Sequence, residues 1–229
     1  MTIPSQGHLV PGDLAPDFAL PAVNRDGIVA LKDYRGRCPL LVGLLRGLHC
    51  PFCRRRIVQL GITSDKLARE GVETVAILNT SVERARQYFQ YRPPRVLSAA
   101  DQEVRTHRAF GLPQIRILPE DTAPDELQWP RTATLAQYRA LRWNPTGELS
   151  ESMSPFENET ILNERDGFKA TEFDHKNALA HGPQLTGHFI IDPIGVIRWA
   201  HVDGFEEPNE TGVFPTDEEI LASARAISR

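Results

Sequence analysis

Residues 40–53 of the 229-residue chain read LLVGLLRGLHCPFC. The apolar run Leu40–Leu45 is typical of a central strand buried on both faces, which would deliver the loop after it to the carboxyl edge of a sheet. The dithiol Cys50-Pro51-Phe52-Cys53 lies in that loop, and a helix-like basic segment begins at Arg54. At a helix start the free N–H groups and the positive end of the helix dipole favour a thiolate. The stretch therefore predicts a redox centre.

Two other readings of the dithiol are half of a zinc site and a pair of packed structural thiols. A zinc site made only of cysteines needs two more, and only Cys38 remains in the chain. Cys38 stands beside Pro39 at the edge of the apolar run. We expect it to be a buried, inert thiol, with a second resolving thiol as the alternative.

Composition limits the class of protein. With 41% hydrophobic and 24% charged residues, the chain is typical of an ordinary soluble globular protein. The net charge of −4 gives no broad basic surface, so nucleic-acid binding is not expected. Residues 1–12 lack a signal-like apolar region, and no run approaches the ~20 apolar residues that span a bilayer. A close cysteine pair fits a reducing compartment, so we expect a cytoplasmic protein without membrane association.

The flanking pattern predicts alternating strands and helices. Apolar runs around a turn at 24–27 predict an N-terminal β-hairpin. Helix and strand signals then alternate, which implies parallel strands. The predicted elements are a strand at 40–45, a helix from Cys53 to about Glu70 ended by Gly71, a strand at 72–78, a helix opened by a capping box at 80–83 and ending near Tyr91, a short strand at 96–97 and a helix at 101–110.

The last third of the chain predicts a hairpin, with strands at 187–191 and 195–202, and a final helix from a capping box at 216–219 to about Ile227. Between 113 and 185 the pattern breaks down, and only 132–143 predicts a helix. Such a long connection is expected to form a lid or oligomer contact near the site, or else a solvated decoration.

Three stretches together resemble the peroxiredoxin-like family labelled alkyl hydroperoxide reductase and thiol-specific antioxidant (AhpC/TSA), within the thioredoxin-fold superfamily. They are residues 11–18 with 31–36, residues 44–53 and residues 189–198. The resemblance implies an α/β thioredoxin-like fold, with a central mixed sheet flanked by helices, an N-terminal β-hairpin and a long insertion. It implies a single domain over 1–229 that carries the insertion at 113–185.

The same resemblance implies a thiol-dependent peroxidase that reduces hydrogen peroxide or organic hydroperoxides through Cys50 and Cys53. Alignment with peroxiredoxins makes Cys53 the attacking cysteine, whereas the order in thioredoxins and glutaredoxins makes it Cys50. Thr186 falls where thioredoxins carry a cis-proline and near the place of the peroxiredoxin arginine. A thiol-disulfide oxidoreductase of the thioredoxin or glutaredoxin kind, and a non-enzymatic redox sensor whose insertion binds a partner, are the alternatives.

Four residues are candidates for stabilising a thiolate: Arg46, His49 as an imidazolium, Arg54 and Thr186. The basic cluster 54–56 could also attract an anionic thiol such as glutathione. The partners expected are a peroxide or disulfide substrate, a thiol reductant such as thioredoxin or glutathione, and a second copy in a homodimer. No cofactor is expected, and no metal, because His107, His181, His188 and His201 lack a recognised ligand spacing.

Overall fold

The computed structural model describes residues 7–227, so part of the N-terminal stretch that lacks a signal-like pattern, residues 1–6, lies outside the described residues. The strands in chain order are β1 (Ala19–Pro21), β2 (Ile28–Ala30), β3 (Leu40–Leu45), β4 (Glu73–Leu78), β5 (Leu97–Ala100), β6 (Arg116–Leu118), β7 (Thr132–Thr134), β8 (Gly187–Ile191) and β9 (Ile197–Val202). The α-helices are α1 (Pro51–Arg69), α2 (Val82–Phe89), α3 (Arg105–Ala109), α4 (Leu135–Ala140), α5 (Pro155–Arg165), α6 (Glu172–His181) and α7 (Asp217–Ile227).

The central sheet has the strand order β5-β4-β3-β8-β9. Strands β3, β4 and β5 are parallel, whereas β8 runs antiparallel to β3 and β9 antiparallel to β8. The parallel half follows from the helical crossovers α1 and α2, and the antiparallel half from the late hairpin. The expected mixed sheet is confirmed, as is the N-terminal hairpin, in which β1 pairs with β2 in antiparallel register.

Strand β3 is the middle strand and is buried along its whole length. Leu41 and Leu45 pack into an apolar cluster that contains α1, whereas Leu40, Val42 and Leu44 pack into a second cluster under the N-terminal hairpin. Burial on both faces explains why this strand is a continuous apolar run instead of an alternating one. It ends directly before Arg46, so the loop with the dithiol lies at the carboxyl edge of the sheet.

Helix α1 begins earlier than predicted. Its first residue is Pro51, and the N-cap is Cys50, so the prediction that the helix starts at Cys53 was wrong. A proline fits the first helical turn because its fixed φ suits the helix and its missing N–H would have no intrahelical partner there. The consequence is chemical, because Cys50 and not Cys53 occupies the capping position.

Two other helix starts also differ from the prediction. Helix α2 is capped by Ser81, one residue later than the predicted box at 80–83. Of the predicted helix at 101–110, only Arg105–Ala109 is α-helical, because the residue before it, Val104, has a left-handed backbone with a φ of 47°. The Asp101 carboxylate accepts hydrogen bonds from the N–H groups of Arg105 and Thr106 in the first turn.

The segment 113–185 is more regular than its sequence suggested. The predicted helix at 132–143 is a short strand, β7, followed by α4, and helices α5 and α6 were missed although both begin with complete capping boxes. Ile115, Trp143 and Leu162 from this segment share one apolar cluster with Phe52 and Cys53. The segment is therefore packed against the dithiol helix and is no solvated decoration. Its treatment as an insertion within one domain over 1–229 stays a prediction.

None of the helices within residues 7–227 combines the length and the apolar character needed to cross a membrane.

Candidate active site

The two sulfurs of the dithiol have different surroundings. Cys50 is the N-cap of α1, and its sulfur accepts a hydrogen bond of 3.2 Å from the backbone N–H of Cys53. The Cys53 thiol also donates a hydrogen bond to the Cys50 sulfur. Cys50 is 5% exposed and faces a cavity, whereas Cys53 is 1% exposed, one turn inside the helix. Both thiols are free, so this geometry describes the reduced form.

The ionisation of the two thiols differs accordingly. Burial alone would raise the pKa of Cys50, but the hydrogen bonds from Cys53 and the charges of Arg46 and Arg54 outweigh it and lower that pKa to about 6. Burial, followed by the hydrogen bond that its thiol donates to Cys50, raises the pKa of Cys53 well above its usual value. At neutral pH the site therefore holds a Cys50 thiolate beside a Cys53 thiol.

Of the two arginines whose charges lower the pKa of Cys50, Arg46 has the larger effect. It follows β3 directly, and its guanidinium donates to the Asp203 carboxylate at 3.0 Å and lies over the Trp143 ring at 5.9 Å. Burial would lower the pKa of Arg46, but the Cys50 thiolate and the Asp203 carboxylate outweigh it and raise the pKa. The arginine therefore stays charged, and its pairing with Asp203 fixes that charge beside the dithiol.

Thr186 donates its hydrogen bonds to Asp203 and not to a sulfur of the dithiol. Its N–H and its hydroxyl each donate to Asp203 at 2.6 Å, so its single hydroxyl hydrogen is used by the carboxylate. The prediction that Thr186 stabilises a thiolate directly is therefore corrected, since Thr186 positions the carboxylate that positions Arg46. A cis-proline does lie nearby, at the Gly182–Pro183 peptide, and both residues line the cavity that Cys50 faces.

His49 does not carry the charge expected of it. Burial, together with the neighbouring charge of Arg46, lowers the pKa of His49 to about 4. At neutral pH the ring is therefore neutral, and the expected imidazolium is wrong. His49 instead contributes its backbone carbonyl, which accepts from the Asn163 side chain at 3.1 Å and so ties the loop before Cys50 to α5.

Each arginine of the 54–56 cluster donates a hydrogen bond to another part of the fold. Arg54 is buried, donates to the carbonyl of Leu48 at 2.7 Å and to the carboxylate of Asp166, and lies 4.3 Å above the Phe168 ring. Arg55 also pairs with Asp166. Arg56 is fully buried and donates to His188 at 3.0 Å. These contacts leave less of the cluster's charge available to an anionic thiol such as glutathione, whose attraction stays a prediction, while the charge of Arg54 lowers the pKa of Cys50.

Gly47 is required by close packing in the loop before Cys50. A Cβ at this position would lie 2.8 Å from the carbonyl oxygen of Asn79 and 2.9 Å from Nδ1 of His49. Both distances are shorter than any ordinary contact, and the Asn79 oxygen belongs to the backbone. Only glycine lets the chain pass here in this conformation.

A cavity of about 430 Å³ lies in front of Cys50. One side, which we call the sheet wall, consists of residues from the loop after β3 and from the start of α1: Arg46, His49, Cys50, Pro51 and Phe52. The opposite side, which we call the helical wall, is mostly apolar and comes from 113–185: Ile117, Leu135, Tyr138, Trp143, Pro155, Phe156, Glu159, His175, Ala178 and Leu179. Ile117, Phe156 and Leu179 are exposed and form an apolar rim. The cavity can hold a small molecule larger than hydrogen peroxide.

Glu159 on α5 is the acidic residue of the helical wall. Burial, reinforced by the charge of Cys50, raises its pKa to about 7. Sequence analysis missed this residue because Glu157 and Glu164 on the same helix are indistinguishable from it by spacing. Asp203 was missed as well, since no motif links it to Arg46, 157 positions earlier in the chain.

With this geometry established, comparison with known proteins places the chain. Residues 11–143, more than half of its length, match the model of the AhpC/TSA family. The chain belongs to the AhpC/TSA family. No curated protein matches it.

Solved structures of thioredoxin-fold proteins resemble this AhpC/TSA chain in fold. The 2-Cys peroxiredoxin of Plasmodium vivax, in its reduced form, has a TM-score of 0.57 at 14% identity, over 96% of this chain and 82% of that one. The peroxidoxin BcpB of Mycobacterium tuberculosis has a TM-score of 0.55 at 15% identity, over 96% and 99% of the two chains. The thioredoxin-like architecture expected from sequence is confirmed.

The AhpC/TSA match includes both cysteines of the dithiol but ends before α5 and α6, which complete the helical wall. Membership makes the chain a thiol-dependent oxidoreductase by family. The third cysteine, Cys38, is half-buried, not fully buried as expected, and packs with the other apolar cluster, on the opposite face of β3 from Cys50 and Cys53. Burial raises the pKa of Cys38, which keeps it protonated.

The four histidines considered as metal ligands do not converge on one point, although His188 and His201 are neighbours on β8 and β9. His107 contacts the carbonyl of Leu45 and His201 that of Val213, His188 accepts from Arg56, and His181 lines the cavity. Within residues 7–227 no group of three or more His, Cys, Asp or Glu side chains is arranged to hold a metal ion.

Proposed function

We propose that the protein is a thiol peroxidase that reduces hydroperoxides, with Cys50 as the attacking and Cys53 as the resolving cysteine. The observation that carries this proposal is the pairing of a thiolate open to a cavity with a protonated thiol directly behind it. This assignment follows the surroundings of the two sulfurs instead of the peroxiredoxin alignment, which names Cys53. A buried thiol whose proton is already shared with a neighbouring sulfur is a poor first nucleophile.

The chemistry proceeds in two balanced steps. The Cys50 thiolate attacks the terminal oxygen of ROOH, the O–O bond breaks, and Cys50 becomes a sulfenic acid while RO⁻ takes a proton and leaves as ROH. The Cys53 sulfur then attacks the sulfenic sulfur, which forms the Cys50–Cys53 disulfide and releases water. Because the Cys53 thiol already contacts the Cys50 sulfur, the second step needs little rearrangement.

An external thiol must reset the site. Two thiols reduce the disulfide by exchange and become a disulfide themselves, so one hydroperoxide consumes two thiols. Thioredoxin and glutathione remain the expected donors, and the cavity opening at Cys50 is the side from which either would reach a sulfur. A cytoplasmic location and a homodimer remain predictions, and sedimentation at micromolar concentration tests the dimer.

A thiol-disulfide oxidoreductase is the second candidate. It is favoured by the low pKa of the first cysteine of the Cys-Pro-Phe-Cys pair, which is the attacking position in thioredoxins and glutaredoxins. The same residues would act, but through a mixed disulfide instead of a sulfenic acid. The cavity in front of Cys50 has room for a small disulfide.

Rapid-quench mass spectrometry with a stoichiometric pulse of hydrogen peroxide tests the proposal on wild type, Cys50→Ser and Cys53→Ser. We expect wild type to form the disulfide within seconds and Cys53→Ser to accumulate a sulfenic acid on Cys50, while Cys50→Ser stays reduced. The reverse pattern would make Cys53 the nucleophile. Oxidation of wild type no faster than an ordinary thiol would reject the peroxidase and leave the disulfide reductase, or a redox sensor if disulfides also react slowly.

A further inference from the structure

Glu159 has an unusual position for an acidic residue. It projects from α5 into the cavity that Cys50 faces and is the one acidic side chain among the described residues that line this cavity. Other carboxylates close to the dithiol are paired: Asp203 with Arg46, and Asp166 with Arg54 and Arg55. The Glu159 carboxyl has no hydrogen bond and no ion pair with any residue in 7–227. Glu159 is half-buried, and its carboxyl lines the cavity beside Tyr138 and Phe156 instead of being tied to the fold by a partner.

We propose that the Glu159 carboxylic acid protonates the oxygen that leaves when Cys50 attacks a hydroperoxide. This inference rests on the proposed peroxidase function and adds a catalytic residue to it. Attack on a hydroperoxide expels hydroxide or an alkoxide, and both are much stronger bases than a thiolate. Such an oxygen leaves much faster when an acid delivers a proton as the O–O bond breaks.

The other polar groups of the cavity are poor proton donors. Arg46 is held by Asp203 with a raised pKa, and the pKa of His49 is lowered to about 4, so neither can supply a proton readily at neutral pH. Burial raises the pKa of Tyr138. Burial and the Cys50 charge raise the pKa of Glu159 to about 7, so about half of this carboxyl is protonated at pH 7 while Cys50 is mostly a thiolate.

Cys50, Glu159 and the hydroperoxide supply every electron pair and proton that this step needs. A lone pair of the Cys50 thiolate forms the S–O bond to the terminal oxygen of ROOH, and the O–O bonding pair stays on the leaving oxygen. Glu159 gives its proton to that oxygen, so the products are a Cys50 sulfenic acid, ROH and a Glu159 carboxylate. Water at the cavity mouth then returns a proton to Glu159. No electrons beyond the pair supplied by Cys50 are needed.

Proton transfer from Glu159 would make the rate of Cys50 oxidation a bell-shaped function of pH. The rate of Cys50 oxidation rises as Cys50 ionises around pH 6 and falls as Glu159 loses its proton around pH 7. The other titratable or charged groups that face Glu159 or act on the cavity come from the loop after β3 and from α1, α4 and α6: Arg46, His49, Arg54, Tyr138, His175 and His181. The histidines of α6 are therefore replaced by Gln in a background variant to show that the falling limb belongs to Glu159.

The experiment compares two oxidants of Cys50 in single-turnover kinetics. One is hydrogen peroxide, whose leaving group needs a proton, and the other is the aromatic disulfide dithiobis(nitrobenzoate), whose leaving thiolate needs none. We expect Glu159→Gln to slow the reaction with peroxide by about 100-fold and to remove the falling limb, while its reaction with the disulfide stays within about twofold of wild type. Glu164→Gln, on an exposed position of the same helix, is the matched control and should change neither reaction.

Three other outcomes would contradict the role of Glu159 as the proton donor. Equal loss with both oxidants would mean that Glu159 supports the fold or the ionisation of Cys50, and an unchanged peroxide rate and pH profile would mean that it transfers no proton. A falling limb that disappears only when the α6 histidines are replaced would assign the proton to them. Failure of the peroxidase function is separate, because then wild type itself reacts with peroxide no faster than an ordinary thiol.

Discussion

The sheet wall and the helical wall face each other across one cavity but are built in opposite ways. The sheet wall holds the charges, and its cation Arg46 is fixed by a carboxylate from after β9. The helical wall is mostly apolar, and its one carboxyl, that of Glu159, has no hydrogen bond or ion pair with any residue in 7–227. The thioredoxin-like core therefore carries the two cysteines and the charges that set their pKa values, whereas the segment 113–185 supplies the apolar surroundings of the cavity. Substitutions in one wall therefore test its contribution while the residues of the other wall stay unchanged.

The largest expected effect tests whether the helical wall belongs to the same cooperative unit as the core. Leu162 on α5 and Leu60 on α1 are both fully buried in one apolar cluster. We expect Leu162→Ala and Leu60→Ala each to lower the free energy of unfolding by about 2–5 kcal/mol, measured by urea denaturation. If Leu162→Ala left the urea midpoint unchanged while it exposed Cys50 to alkylation, the helical wall would open independently of the core.

The next effect concerns the charge of the sheet wall. Cys50 reacts as a thiolate, so its alkylation by iodoacetamide should fall as the pH drops through about 6. We expect Arg46→Gln to raise the pKa of Cys50 by about 1–3 and to move the midpoint of this profile upward by the same amount. At pH 6 the alkylation rate would fall by roughly 5-fold for a shift of 1 and by about 500-fold for a shift of 3.

Arg46→Gln leaves the buried Asp203 carboxylate without its cationic partner, so the variant loses stability as well. The double variant Arg46→Gln/Asp203→Asn removes both charges and should show the same upward shift in the midpoint. Arg46→Lys keeps the charge and should keep most of the low pKa. A midpoint that shifts as far in Arg46→Lys as in Arg46→Gln would show that charge is not the cause.

The smallest effect concerns the apolar rim of the helical wall. Phe156 is 44% exposed at the cavity mouth, and Tyr91 is 87% exposed and does not line the cavity. We expect Phe156→Ala to lower kcat/KM for cumene hydroperoxide by about fivefold, because an apolar substrate loses contact area, and to leave hydrogen peroxide unaffected. Tyr91→Ala is the control for both substrates. Equal losses for the two peroxides in Phe156→Ala would mean that the rim does not select substrates.

The two walls also differ in how far sequence could predict them. Strand β3 was predictable from its continuous apolar run and the hairpins from their turn residues, and both are local signals. The dithiol was predictable from the spacing of its two cysteines. Helix α6 was missed because its apolar residues form no single stripe. The pairing of Arg46 with Asp203 joins distant parts of the chain, so only the folded sheet brings them together. Glu159 differs from its neighbours on α5 only in the direction it faces.

The space around Gly47 has a consequence for how this protein can vary. Every other residue adds at least the Cβ that would meet the Asn79 carbonyl and the His49 ring. At this position the chemistry of a substitution hardly matters, because its bulk alone displaces the loop that presents Cys50. A single base change in a glycine codon always yields either glycine, a larger residue or a stop. Codon 47 therefore accepts only silent changes, whereas exposed positions on α1 can be substituted without displacing this loop.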